Sequence, residues 1–389
     1  MAESLSRLAA QCVLNGFRFR CQRVSGSMTK PKAVSLELTH RCVARCIMCN
    51  IWRIPPDTPS LSGSAWISLL TRELFSELVE LDITGGEPFL RADLADLLSE
   101  VCRLKTRHLS SLRSIAITTN GFLTPRVLAA TGKILSEAKQ CGVTLVMVCA
   151  MDAIGETHDA IRRYPGGWQR VHQTIQGLLR LRMAFPNLII GLKTTILPAT
   201  VEHLDAIVRY AARHNLFTII SPCIITKGRY LNLNLGQDLV FKPEQIEQMV
   251  RFFQKNRSRW SFHDEHLVRY FQTGRMKKPC SCGFNYFFIR SQGDLHLCPM
   301  VGASPGNVTQ TPIDTLLSSQ AAARIRRRIG RFPECRHCTE PGLERYSLPY
   351  EGWSYLAMLP KMGRRRFRQM HRDMGLDKYF AEPAANAVG

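Results

Sequence analysis
From Ala33 the chain alternates short apolar runs with longer segments whose apolar residues recur every three or four positions. Runs at 34–39, 80–84, 114–119, 143–151, 188–197 and 217–222 are bounded by turn-forming residues and read as strands. Between them, 64–78, 125–139, 171–185 and 203–214 carry helical spacing, and a further helix runs to about residue 103 with Asp93 as its N-cap. Six strands, most separated by helices, predict a parallel sheet with helices outside. Right-handed crossovers curve such a sheet into a barrel or part of one. Ahead of it, 4–20 reads as a short basic helix followed by a polar linker.

The polar interruptions gather where a parallel sheet places chemistry, at the carboxyl ends of strands. Cys42, Cys46 and Cys49 form a C-x3-C-x2-C loop after the first strand, and Gly85-Gly86-Glu87-Pro88 follows the second. Thr119-Asn120-Gly121 ends the third, and Met151-Asp152 the fourth. Three thiolates on one tight loop fill three corners of a four-iron cubane and leave one iron open. Tetrahedral zinc would need a fourth ligand, for which His40, Asn50 and the distant Cys102 are the candidates.

The cysteine spacing joined to Gly-Gly-Glu-Pro resembles the radical S-adenosylmethionine (SAM) superfamily. The resemblance implies an α/β fold, the partial (β/α)6 TIM-like barrel, with strands over about 33–222 inside a core domain at 33–260. It implies a [4Fe–4S] cluster on Cys42, Cys46 and Cys49, whose open iron chelates SAM. Gly85, Gly86 and Glu87 would receive the SAM amino group, through backbone carbonyls and the Glu87 carboxylate. Met48 stands where an aromatic residue often stacks on adenine, and a thioether can pack there too. Ala150-Met151-Asp152 with His158-Asp159-Ala160-Ile161-Arg162 looks like the superfamily's Ser-x-Asp…His-Asp-x-x-Arg segment, with alanine in place of serine. Asn120 and Asp152 either contact the ribose or cap local turns.

Beyond residue 275 a second cysteine pattern begins with Cys280 and Cys282, continues through Gly293-x4-Cys298 and closes with Cys335-x-x-Cys338. A hairpin over 287–297 would bring Cys282 and Cys298 together. The pattern resembles SPASM or twitch extensions, placing a small C-terminal iron–sulfur domain at 275–345. Cys282, Cys298, Cys335 and Cys338 would hold one auxiliary [4Fe–4S] cluster, with Cys280 the rival of Cys282 and a zinc knuckle the alternative.

Composition narrows the class. The 389 residues suffice for a large core and an appendage, and 45% hydrophobic content is that of a globular protein. Fourteen cysteines, three of them crowded into one loop, argue for metal binding in a reducing, cytoplasmic compartment and against a disulfide framework. Most of the single cysteines, such as Cys12, Cys102 and Cys149, read as small buried hydrophobes. No apolar stretch is long enough to span a bilayer, and the start of the chain lacks the apolar core and small-residue site of a cleavable signal.

Lys and Arg number 52 against 31 Asp and Glu, a net +21. The excess falls in a basic N-terminal segment, 1–32, a cluster at 324–331 and a basic aromatic tail, 346–389. Solvated helix faces explain it. Peripheral contact with an anionic membrane also does, favoured by Trp353, Tyr355, Leu356, Met358 and Leu359 ahead of the last basic run. Nucleic acid is not expected, because the basic residues lack aromatic interleaving.

By the resemblance, a reductant such as flavodoxin or ferredoxin drives cleavage of SAM to a 5′-deoxyadenosyl radical, which takes hydrogen from a substrate carbon. A sugar, cyclitol or lipid headgroup is the expected substrate. A peptide matured by a radical cross-link is one alternative, although 1–32 is expected to be too short for a separate leader-binding domain. A non-catalytic cluster scaffold binding an anionic partner is the other.

Overall fold
The computed structural model describes residues 5–256 and 261–380. Ser4, the expected start of the first helix, residues 257–260 of the expected core domain, and 381–389 of the tail lie outside them. Helix α1 (Leu5–Ser25) leads to β1 (Ala33–Thr39), then α2 (Gly63–Leu70), β2 (Glu80–Gly85), α3 (Leu94–Leu104) and β3 (Ser114–Thr119). The chain continues through α4 (Thr124–Gln140), β4 (Thr144–Ala150), α5 (Glu156–Arg162), α6 (Gly167–Ala184), β5 (Leu188–Ile196), α7 (Leu204–Arg213) and β6 (Phe217–Pro222). After α8 (Pro243–Lys255) and α9 (Ser261–Thr273) come three short strands, β7 (Tyr286–Ile289), β8 (Asp294–His296) and β9 (Gly306–Asn307). Five helices close the chain: α10 (Ile313–Ser318), α11 (Gln320–Arg328), α12 (Pro341–Glu351), α13 (Trp353–Leu356) and α14 (Met358–Asp373).

One open sheet runs in the order β6-β5-β4-β3-β2-β1-β7-β8-β9, with β1 to β6 parallel to their neighbours. This is the partial barrel that the alternation of elements predicted. All seven residues of β1 are buried, as a parallel strand covered on both faces requires. Leu36, Ile83, Ile117, Met147 and Ile190 lie in register across the sheet, in one buried cluster with Trp66 and Phe75. Each such side chain contributes about 2 kcal/mol of transfer free energy.

The cysteine-rich segment does not form a separate sheet. Its predicted hairpin exists as β7–β8, but β7 also pairs in parallel with β1. Glu37 of β1 locks this junction, its carboxylate lying 3.6 Å from Arg290 and accepting from Ser291 Oγ at 3.1 Å.

Several local expectations need correction. The helix expected over 64–78 stops at Leu70, where Thr71 Oγ1 donates to the Ser68 carbonyl. A 3-10 turn at Glu73–Phe75 then returns Phe75 to the core. Asp93 does not cap α3 through its side chain. Both its oxygens accept from Arg91, which also donates to the Leu38 and Leu61 carbonyls and so pins the end of β1. Helix α1 runs past residue 20 to Ser25, with Leu8, Cys12, Gly16 and Phe19 as its buried stripe.

The aromatic stretch before the last basic run is not laid out for a membrane. Tyr355 and Met358 are buried in a cluster with Leu8, Cys12 and Phe367, and the half-exposed Trp353 is covered by the Arg20 guanidinium at 3.4 Å. Among the described residues no helix is long and apolar enough to cross a membrane.

Candidate active site
The loop after β1 presents Cys42, Cys46 and Cys49 to a cavity at the carboxyl ends of the strands. Backbone bonds hold the loop from two sides. Arg45 and Ile47 N–H donate to the Arg162 and Ile161 carbonyls of α5, and Asn50 N–H donates to the Tyr230 carbonyl. Asn232 Nδ2 adds a bond to the Met48 carbonyl at 2.8 Å.

The Gly85-Gly86 turn packs directly on this loop. A Cβ on Gly85 would lie 2.3 Å from the Thr39 carbonyl oxygen, and one on Gly86 would lie 2.3 Å from that of Arg41. Gly85 also sits at φ +152°, a conformation that L side chains rarely adopt. The close approach that demands glycine is therefore to the cysteine loop, while both residues also line the cavity.

Of the other expected site residues, Met48 and Asn120 line the cavity, whereas Glu87 and Asp152 do not. Glu87 is fully buried, and its carboxylate accepts from Thr119 Oγ1, the Asn120 N–H and the Phe89 N–H. Burial outweighs these bonds and pushes its pKa up to about 7. Asn120 caps a turn, its Oδ1 accepting from Phe122 N–H, and its Nδ2 lies 3.8 Å from Cys42 Sγ.

Asp152 acts within the protein. One oxygen accepts from the Thr195 N–H, and the other is 2.7 Å from Arg162, whose second nitrogen points to Cys46 Sγ at 3.6 Å. His158 accepts from the Asp152 N–H, and burial, with Arg162 nearby, lowers its pKa to about 3, so the ring is neutral. Asp159 ties down the next loop through the N–H groups of Gly166 and Trp168. The His-Asp-x-x-Arg segment thus fixes a guanidinium beside a cysteine.

Burial raises the pKa of all three loop thiols, Cys49 to about 12, with Arg162 opposing it at Cys46. Deprotonation here calls for a bound cation, and the sulfurs already receive an amide and a guanidinium donor. That donor set fits an iron–sulfur cluster. The candidates for completing a zinc site are engaged elsewhere. His40 contacts Ser291 Oγ and the Pro55 carbonyl, Asn50 Nδ2 donates to Leu231 and Asn234, and Cys102 is buried in the helical layer.

The opposite wall of the cavity holds Lys193, Arg229, Tyr230 and Glu340, none singled out by the sequence reading. Lys193 Nζ and Glu340 Oε1 are 3.8 Å apart. A lysine inside the apolar run of β5 was a usable signal, and so was a glutamate two residues after Cys338. Arg229 and Tyr230 lie in a loop with no pattern to mark them.

Around the second cysteine group, Cys280, Cys298, Cys335 and Cys338 line a separate, larger cavity. Cys282, the expected ligand, is buried behind that wall, with its thiol hydrogen-bonded to Cys280 and Cys298. That bond brings Cys280 down to about 7 against the effect of burial. Of the two rivals, Cys280 opens onto this cavity and Cys282 does not.

The model of the Radical SAM superfamily matches residues 36–211, and that of an iron–sulfur cluster-binding domain (SPASM) matches 280–339. Molybdenum cofactor biosynthesis protein 1 of Dictyostelium discoideum is 31% identical over 155 residues, 38% of this chain but only 22% of that protein. Sporulation killing factor maturation protein SkfB of Bacillus subtilis is 21% identical over 331 residues, covering 84% of this chain and 74% of SkfB. Among solved structures, SuiB of Streptococcus suis bound to precursor peptide SuiA superposes with a TM-score of 0.56 at 12% identity. That superposition covers 80% of this chain and 71% of SuiB, and supports the fold.

Proposed function
We propose that this chain, an enzyme of the radical SAM superfamily with a C-terminal iron–sulfur cluster-binding domain, abstracts hydrogen from a carbon of a peptide substrate held in the cavity between Cys46 and Glu340. The superfamily domain brings a [4Fe–4S] cluster with SAM, and the C-terminal domain brings auxiliary iron–sulfur chemistry. Bound together, the cluster and SAM supply a one-electron cleavage that yields 5′-deoxyadenosine once substrate hydrogen is taken.

The residues have separable roles in this reading. Cys42, Cys46 and Cys49 hold the first cluster, and Asn120 and Arg162 donate toward its sulfurs. The Gly85-Gly86 backbone faces the SAM amino group, and Met48 packs on the adenine. Glu87 and Asp152 position neighbours and do not touch SAM. Cys280, Cys298, Cys335 and Cys338 hold the auxiliary cluster, with Cys282 donating to it from behind. Lys193, Arg229 and Glu340 orient a substrate that carries both charges, and the walls exclude water.

One observation carries the reading. The cavity runs from the three cysteines to a charged opposite wall of Lys193, Arg229 and Glu340, and Glu340 stands two residues after Cys338 in the chain. For a peptide, the cavity shares Thr118, Lys193, Arg229 and Glu340 with a second chamber deeper in the barrel, giving length for an extended chain. The alignment with a protein named for maturation of a killing factor over most of this chain points the same way. A sugar or cyclitol is the second reading, favoured by the hydroxyls of Thr195, Ser221 and Tyr230 beside these charges.

The test uses reconstituted protein, dithionite, SAM and a size-fractionated, deuterium-labelled cell extract, with mass spectrometry of the 5′-deoxyadenosine. Deuterium arriving from the peptide fraction is expected. Transfer only from the small-molecule fraction selects the second reading, and no 5′-deoxyadenosine at all selects a scaffold.

A further inference from the structure
The three basic regions are distant in sequence and meet in space. Arg20 and Arg23 from α1, Arg331 after α11, and Lys361 and Arg366 from α14 line one cavity together with Arg269, Arg275 and Lys277. Ten cationic side chains border it against three carboxylates, and one of those, Glu351, is already paired with Arg20. Many of these cations are exposed, among them Arg269, Arg275, Arg331 and Lys361. The floor is different: Met300, Ile329 and Phe332 are apolar, and Cys280, Cys298, Cys335 and Cys338 open onto it. A charged rim around an apolar centre is the anatomy of a protein interface. Like charges held this close repel one another and are relieved by an anionic surface.

We infer that this basic canyon docks a small acidic one-electron carrier protein over the second cysteine group. The inference rests on the iron–sulfur reading of those cysteines given above. A cluster delivers or takes electrons only over short distances, so an entry point must lie where its cysteines approach the surface, and the canyon is such a place. In the docked complex the reduced carrier gives up one electron and leaves oxidised by one equivalent. That electron would pass to iron held by Cys280, Cys298, Cys335 and Cys338, with no bond made or broken. Charge complementarity sets the encounter rate and makes it salt-dependent.

Flavodoxin is the probe. Binding of oxidised flavodoxin to the holoenzyme is measured by surface plasmon resonance, and 5′-deoxyadenosine formation is followed with either reduced flavodoxin or dithionite as reductant. The triple variant Arg269→Glu, Arg275→Glu, Lys361→Glu is expected to weaken binding and flavodoxin-driven turnover by about tenfold or more at low salt. Dithionite-driven turnover stays unchanged. The milder Arg269→Gln, Arg275→Gln pair shows the same direction if the triple variant folds poorly. Reversing two exposed arginines elsewhere, Arg126→Glu and Arg209→Glu, leaves both readouts near wild type.

The proposal is overturned if the canyon variants bind flavodoxin as tightly as wild type, or if the distant pair weakens binding equally. It is also overturned if anionic vesicles or RNA compete for the canyon while flavodoxin does not bind. Failure of the wild type to cleave SAM even with dithionite would instead refute the proposed function, which keeps the two failures apart.

Discussion
Arg162 sits between two buried partners, with Asp152 at 2.7 Å on one side and Cys46 Sγ at 3.6 Å on the other. Removing one member of a buried pair leaves an uncompensated charge, which costs about 3–5 kcal/mol. Arg162→Met should therefore destabilise the protein by that order and lower the iron held at the first site. The double variant with Asp152→Asn should recover much of the stability but not the iron, as thermal melts and iron per chain will show. At the second site, Cys280→Ser should strip about four irons, as the Cys335→Ala, Cys338→Ala pair should, while SAM cleavage persists. Cys282→Ser should retain them. The cysteines and the Gly-Gly turn were legible because their spacing is itself the chemistry. Arg162 was legible as part of a motif, but its work depends on a contact across 116 residues that no local pattern encodes.

Elements were read well where burial has one period and poorly where it continues through a break. The apolar rhythm of 64–78 persists across Thr71 because the 3-10 turn at Glu73–Phe75 keeps Phe75 in phase, so periodicity could not see the helix end. The pairing of β7 with β1 was invisible for another reason. A four-residue strand does not reveal its neighbour, and β1 carries no exposed face to signal a second partner. Helix α1 depends on close contact at its own far side. Gly352, at φ +69°, lies so near that an added Cβ would be 2.0 Å from the Cys12 carbonyl oxygen. Gly352→Ala is expected to cost about 3 kcal/mol, combining strain at positive φ with overpacking. The midpoint of urea unfolding measures it, and an unchanged midpoint would mean that α1 is not packed as described.

At the scale of the molecule, the tail belongs to the fold. Glu80, at the amino end of β2, is buried and contacts both Arg345 of α12 and Lys378 beyond α14. Burial alone would raise its pKa, but the two cations bring it down from 4.5 to about 2. A carboxylate depressed in the folded state contributes stability that is present above 4.5 and lost as pH falls through about 2. The size is about 3 kcal/mol. Glu80→Gln should thus be destabilised at pH 7, with the carboxylate's attraction for Arg345 and Lys378 lost, and should lose that part of the acid slope in denaturation titrations run between pH 4.5 and 2. Charge was the least legible property at this scale, because three separate basic runs disclose nothing of their convergence until α1, α11 and α14 are packed. Even Arg326, inside one such run, is spent internally on the Gly26 and Leu317 carbonyls. The central claim, that the loop of Cys42, Cys46 and Cys49 holds a cluster with one iron left for SAM, is tested most directly by electron paramagnetic resonance. The sample is dithionite-reduced Cys335→Ala, Cys338→Ala protein, which retains only the first cluster. Addition of SAM should shift its g-values, and the shift and signal should both vanish in Cys46→Ala. A spectrum that SAM leaves unchanged would contradict the account.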